Sequence, residues 1–384
     1  MKFLHTADWH LGRYFHGASL LDDQAHVLDQ LVALATSEKV DVVLIAGDVY
    51  DRAVPPADAV SLLDDILFRL VVGAGVPVII IAGNHDSAER IGFGGRIFER
   101  QRLTLRGALD NLAPVDFVDA YGPVAIHPVP YVEPAFARSL PGGEVATDHQ
   151  AAMAHVLSML RAQARPGHRN VLVGHAFVAG GMVSESERPL SVGGSGLVQP
   201  ATFDGFDFVA LGHLHRPQSV DSERIQYSGS LLKYSFNEVD HQKSVSLVEL
   251  GADGSTSVRR IALVPRRDAR IIKGTLADLL AHPDPDLARD DYLCAHLSDN
   301  DPVLEPMARL REVYPNVMEL QFTAVHPDGE ANPHAAGDHR QRRPDDLFRA
   351  FYRDVVGEEI AEPALQVFNA SAQSAIDATD GTKQ

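Results

Sequence analysis

The 384 residues carry 34 Lys and Arg against 52 Asp and Glu, a formal charge of −18, and 45% of them are apolar. A chain of this length can bury a sizeable core and suggests two or three domains. Its acidity excludes attachment to nucleic acid by bulk charge, so any phosphate binding must be local. No apolar run is long enough to span a bilayer. The lone cysteine, Cys294, excludes an intrachain disulfide and fits a reducing compartment.

Met1 to Thr6 reads as a strand running straight into Asp8 and His10, with neither the apolar stretch nor the small-residue site of a cleavable signal, so a cytoplasmic location is expected. Leu21, Ala25, Leu28, Leu31, Val32 and Ala35 then fall on one helical face after an Asp-rich start. Pro55-Pro56 opens a second helix with Val60, Leu63, Leu67 and Leu70 on one stripe. A third carries Met153, Val156, Leu157 and Leu160. Between them, Val42 to Ala46, Val78 to Ala82, Val171 to Val173 and Phe208 to Leu211 are apolar throughout, as expected of strands covered on both faces. This alternation predicts a layered α/β domain over residues 1–263.

A small α+β unit, 264–326, is expected to follow, with strands at Asp268 to Ile272 and Asp291 to Leu297 and a helix at Val303 to Val313. Residues 327–344, rich in Gly, Pro, Asp, His and Arg, read as a linker. In the final segment, 345–384, Leu347, Phe348, Phe351, Tyr352 and Val355 form an apolar helical face suited to a partner's groove.

Four apolar runs end alike, in a glycine followed by a metal-ligand type: Gly47-Asp48, Gly83-Asn84-His85-Asp86, Gly174-His175 and Gly212-His213-Leu214-His215. A fifth strand end supplies Asp8-Trp9-His10. Glycine lets the chain turn sharply and approach a bound ion closely. Within Asp8/His10 and His213/His215 the i, i+2 spacing on an extended chain points both side chains to one face. Asp8, His10, Asp48, Asn84, His175, His213 and His215 are therefore the expected ligands of two divalent ions. Two carboxylates against four positive charges leave a net positive site suited to a phosphodiester and a metal-bound hydroxide, and the mixed donor set favours Mn, Fe or Zn.

His85, next to Asn84 but facing away from it, is expected to give a proton or hydrogen bond to the leaving oxygen, with Asp51 hydrogen-bonding it. Arg52 is a candidate phosphate contact, and Arg13 and Tyr14 are candidate DNA contacts. His5, His16, His26, His127, His168, His334 and His339 lack the strand-end context and read as ordinary core or surface histidines.

These blocks, in this order, resemble the calcineurin-like metallophosphoesterase superfamily. Asp8-Trp9-His10-Leu11-Gly12-Arg13, Ala210 to Gln218 and Tyr227 to Phe236 narrow the resemblance to its SbcD-type DNA-repair nuclease subunits, over essentially the whole chain. The resemblance implies a four-layer αββα sandwich with a small α+β capping domain and a tethered C-terminal helix, and two manganese ions. It implies Asp8, His10, Asp48 and His215 on one ion and Asp48, Asn84, His175 and His213 on the other. It further implies ATP-dependent duplex exonuclease, single-strand endonuclease and hairpin-opening activity on DNA, with an SbcC-type coiled-coil ATPase partner and a homodimer within a heterotetramer. One departure is Asp51, where archaeal and eukaryotic relatives carry a histidine. The competing readings are a small-substrate metallophosphatase or cyclic-nucleotide phosphodiesterase, which would not need the region beyond residue 264, and a non-catalytic scaffold, which would be expected to lack a ligand.

Overall fold

The computed structural model describes residues 1–187, 196–281, 290–301, 303–323, 348–349, 352, 360–361 and 364–369. Two six-stranded sheets form its centre. The first runs Thr256–Ala262, Ser244–Leu250, Lys2–Thr6, Val42–Ala46, Val78–Ile81, Leu103–Arg106; the second runs Gln218–Val220, Ser222–Tyr227, Phe208–Gly212, Arg169–His175, Gly122–Pro128, Val115–Asp119. The central strands of each are parallel, so their C-terminal ends gather at one edge.

Alternate residues of one strand enter different cores, which explains the unbroken apolar runs. Val43 and Ile45 face the helices Leu21–Ser37 and Ala57–Phe68, whereas Val42, Leu44 and Ala46 meet Phe208, Ala210, Val171 and Val173 of the opposite sheet. The second sheet's outer face, with Leu172, Val209 and Leu211, packs on Met153, Val156, Leu157 and Leu160 of the helix His149–Ala162. The result is the expected α/β/β/α layering.

The second helix is rotated from its expected stripe. Ala59, Leu63, Ile66 and Leu70 are buried, while Val60 is 45% exposed. The small Ala59 turns inward because the tight Gly12 loop lies against it: a Cβ on Gly12 would come within 3.2 Å of the Ala59 Cβ.

Beyond residue 264 a parallel three-stranded sheet forms from Ala269–Gly274, Tyr292–Leu297 and Val317–Phe322, with helices Leu276–Ala281 and Pro306–Val313. The third strand and the first of these helices were not among the expected elements; Val317–Phe322 mixes polar and apolar residues and is only partly buried. One face of this sheet, through Ala269, Tyr292 and Cys294, joins the first core, and the other builds a separate small core around Leu293, Ala295, Leu297 and Leu310. Met1–Asp299 and Val303–Phe322 make up one compact unit; Asn300–Pro302 and Thr323–Gln384 make up another. Within that other unit Phe348 stacks on Phe368 at 3.8 Å and meets Tyr352 at 6.4 Å. Leu347, Phe351, Val355 and the 327–344 segment lie outside the described residues. Among the described residues no helix is long and apolar enough to cross a membrane.

Candidate metal centre

The strand ends at the shared edge are stitched together beyond their sheets. Asp8 N–H donates to the Gly47 carbonyl, His10 N–H to that of Asp48 and Leu11 N–H to that of Val49, at 2.9–3.0 Å. The glycines make this possible by close approach. A Cβ on Gly47 (φ +88°) would lie 2.5 Å from His175 Nδ1, one on Gly83 would collide with the Asp48 carboxylate, and one on Gly212 with the Ala46 carbonyl. Gly174 is not under the same pressure.

Asp8, His10 and His215 form one group of converging donor atoms, and Asp48, His175 and His213 a second, all buried. Asn84 joins the second, its Oδ1 2.9 Å from His175 Nε2 and 3.1 Å from His213 Nδ1. Asp48 lies between the groups, with Oδ2 3.8 Å from His10 Nε2 and 3.5 Å from His175 Nε2.

The i, i+2 expectation of one shared face fails for His213 and His215, which join different groups. Nor is the chain extended here. His213 has φ 111°, and Asp8, His10 and Asp48 adopt left-handed φ of 53°, 45° and 49°. Such strain at non-glycine residues persists where the surroundings over-determine it, as the loop hydrogen bonds do here.

The donor atoms fit cations. His175 Nδ1 faces the Ala46 carbonyl at 2.9 Å and must donate to it, so Nε2 is a bare acceptor turned to Asn84 Oδ1 and Asp48 Oδ2. His215 Nδ1 likewise donates to Ser186 Oγ at 2.6 Å, because the Ser186 hydroxyl proton goes to Glu238. The bare His215 Nε2 then faces His10 Nε2 at 3.1 Å, while His10 Nδ1 has no hydrogen-bond partner. Around His175 Nε2, acceptors facing acceptors in a buried site call for a positive ion between them. Burial pushes all four imidazoles below their ordinary range, keeping them in the neutral, ligating form. Burial, reinforced by the Asp48 charge, pushes the Asp8 carboxyl well above its own range, a repulsion that a cation would relieve.

His85 sits at the rim. Its backbone N–H donates to Asp48 Oδ1 at 2.8 Å and its ring stands edge-on to His10 at 4.7 Å. Its Nδ1 donates to Asp51 at 2.9 Å, but to the backbone carbonyl and not to the expected carboxylate. That carboxylate instead accepts from Arg13, 3.2 Å away, whose guanidinium also stacks over Tyr234 at 4.9 Å. Arg13 is thus largely enclosed, whereas Arg52 is exposed and Tyr14 is 57% exposed.

Several supporting residues carry no spacing signal. The half-buried Asp86 accepts from the backbone N–H groups of Val49, Tyr50 and Gly83 and so holds two ligand loops together; loss of hydration and the Asp48 charge push it up to about 7. Glu187 accepts the His215 N–H at 2.7 Å. Glu238, fully buried, is bound by Lys243 at 2.5 Å. Burial opposes its charge, but Lys243 and the His215 side hold its carboxyl below the usual range. Asp86 alone lay inside a recognisable block.

Residues 1–217 match the calcineurin-like phosphoesterase family, and residues 265–356 match the family described as type 5 capsule protein repressor C-terminal domain. The chain is 36% identical over 362 residues to the SbcD component of the SbcCD nuclease of Staphylococcus saprophyticus, covering 94% of each protein. Solved structures similar to it include a protein of Thermus thermophilus (14% identity, 67% of this chain and 98% of that one, TM-score 0.39). A dimetal phosphatase from Danio rerio is similar at 13% identity, over 69% of this chain and 97% of that one, with a TM-score of 0.41. The chain belongs to the calcineurin-like phosphoesterase family, in its branch of SbcD-type nuclease subunits.

Proposed function

We propose that this protein is the nuclease subunit of a DNA end- and hairpin-processing complex and hydrolyses DNA phosphodiester bonds at a centre of two divalent ions. The observation that carries the reading is the place of Asp48, within 3.8 Å of both His10 Nε2 and His175 Nε2, where one carboxylate can serve two ions. Asp8, His10, Asp48 and His215 would hold one ion, and Asp48, Asn84, His175 and His213 the other, with manganese the metal favoured by the resemblance. When bound, such a pair ionises water and neutralises charge on the phosphoryl oxygens.

The chain's own residues supply the rest. Glu238 and Ser186 fix the His215 tautomer, and the Ala46 carbonyl fixes that of His175. His85, anchored through Nδ1, turns its other ring nitrogen to the leaving oxygen and passes it a proton. Asp51 places both His85 and Arg13, Arg52 contacts phosphate, and Arg13 and Tyr14 line the DNA path. Residues 264–326 cap the site, and 345–384 dock on an SbcC-type ATPase that couples ATP to duplex exonuclease and single-strand endonuclease action. The relative's name as a component of SbcCD supports that partnership. The complex would hold a homodimer within a heterotetramer, with the exposed Phe93 and Ile97 as candidates for a contact between copies.

The test is Mn-dependent cleavage of a DNA duplex by the chain with its ATPase partner, alongside Asp48→Ala and His85→Ala. Cleavage by the unsubstituted protein and loss in both variants is expected. Hydrolysis of small phosphoesters alone would overturn the nuclease reading.

A further inference from the structure

We infer that two clasps, each made of neighbouring residues, carry the seating of the small three-stranded unit to the loop that bears His10. This makes Asp23, Gln24, Lys233 and Tyr234 positioning residues for the metal centre. The inference rests on the two-ion reading above, though its first test does not.

The first clasp is on the opening turn of the helix Leu21–Ser37, where successive side chains diverge by about 100° and can hold different neighbours. Asp23 and Gln24 are both fully buried. Asp23 Oδ2 accepts from Tyr292 Oη at 2.8 Å and from Arg267 at 3.3 Å, both on the small unit's side, while its Oδ1 has no hydrogen-bond partner. Gln24 turns the other way. Its amide donates to the Trp9 and His10 carbonyls at 3.0 and 2.8 Å, and its Oε1 accepts the Gly12 N–H at 3.1 Å. Three hydrogen bonds to one buried side chain fix both the amide orientation and the loop.

The second clasp repeats the arrangement. Lys233 Nζ donates to the Asp268 carboxylate at 3.0 Å and to the Ala269 carbonyl at 3.4 Å. The next residue, Tyr234, donates to the Trp9 carbonyl at 2.5 Å and lays its ring 5.5 Å from His10 and 5.7 Å from His215. The clasps meet where Gln24 Nε2 reaches Tyr234 Oη at 3.2 Å. Beside them lies a cavity of about 340 Å³, lined by Leu20, Lys233, Arg267, Asp268 and Tyr292. At this edge the polar clasps add to the packing of Ala269, Tyr292 and Cys294 on the first core in seating the small unit. A ligand that shifts the small unit would therefore be felt first at His10.

The test uses the full chain with the double substitution Tyr292→Phe and Lys233→Met, which touches no proposed ligand. In metal-free protein, amide exchange at Gly12 and Leu11 is expected to quicken roughly tenfold while Val43 to Ile45 stay unchanged. In a Mn titration, one of the two sites is expected to weaken by roughly tenfold or more and the other to hold. Gln24→Ala serves as the positive control. If Gln24→Ala quickens Gly12 and the double variant does not, or if exchange quickens equally throughout, the coupling is overturned. Should the double variant not fold, Tyr292→Phe alone, which deletes a single oxygen, carries the exchange test. Unsubstituted protein that binds no Mn would sink the two-ion reading and leave the exchange result standing.

Discussion

His85 Nδ1 donates to the backbone carbonyl of Asp51, 2.9 Å away, while the Asp51 carboxylate turns to Arg13 at 3.2 Å. The imidazole is therefore anchored by a group that no side-chain substitution removes. Asp51→Asn is expected to keep the His85 orientation and to lower kcat for DNA cleavage less than about tenfold, through the weakened Arg13 contact. His85→Ala removes a general acid and is expected to lower kcat by about 10²–10⁴ with Mn stoichiometry unchanged. Steady-state kinetics paired with metal analysis checks both; an Asp51→Asn loss as deep as that of His85→Ala would show that the carboxylate itself takes part.

In the chain from His215 through Ser186 to Glu238 and Lys243 every member but the half-buried Ser186 is buried. Ser186→Ala frees His215 Nδ1 and is expected to weaken binding of one Mn ion by about 10–100-fold, measured by titration calorimetry. Lys243→Met strands the Glu238 charge in the interior and is expected to cost about 3–5 kcal/mol in denaturant unfolding. Unaltered Mn binding in Ser186→Ala would dismiss the tautomer argument.

Gly83 lies against Asp48 so closely that a methyl group has no room. Gly83→Ala is expected to displace the shared carboxylate and lower cleavage by about 10²-fold, since a shift near 1 Å at a reacting centre has that effect. Gly174→Ala, where a Cβ would meet side-chain carbons at 3.3 Å or more, is the milder comparison. Equal losses in the two would contradict the close-approach explanation.

At the far end of the sandwich Arg169 binds Asp119, aided by the Met1 amino group, and together they hold the Asp119 carboxyl well below its usual range. A carboxyl lowered in the folded state contributes stability above its unfolded value near 4 and loses that contribution as pH falls through the folded one. Asp119→Asn is expected to destabilise the protein by about 1–2 kcal/mol at pH 7. The gap should narrow steadily below pH 4. Urea melts across that range give the test, and a gap that widens in acid would reverse the sign.

Removal of divalent ions by chelation is expected to abolish cleavage and lower Tm, with Mn restoring both. Saturation at about 100 times Kd should stabilise the fold by about 2.7 kcal/mol for each ion bound. A thermal melt indifferent to Mn would show that the converging donors hold no ion.

The layered fold was legible because Val42–Ala46 and Phe208–Gly212 are apolar at every position, which only a strand covered on both faces requires. The gathering of Asp8, Asp48, Asn84, His175 and His213 was legible too, since parallel strands end at a common edge and four of the five ends repeat glycine before a ligand type. What local spacing could not tell was the direction of side chains on strained backbone. His213 and His215 divide between two groups because φ at His213 is positive, a conformation imposed by distant loops. The same holds for Asp51, whose carbonyl and not its carboxylate takes the expected partner His85, and for Gln24, Glu187 and Glu238, solitary polar letters whose work appears only when separate chain segments meet. Composition and periodicity determine which elements form and where their ends gather; hydrogen-bond partners across the fold decide what each end presents, because that choice belongs to non-local contacts.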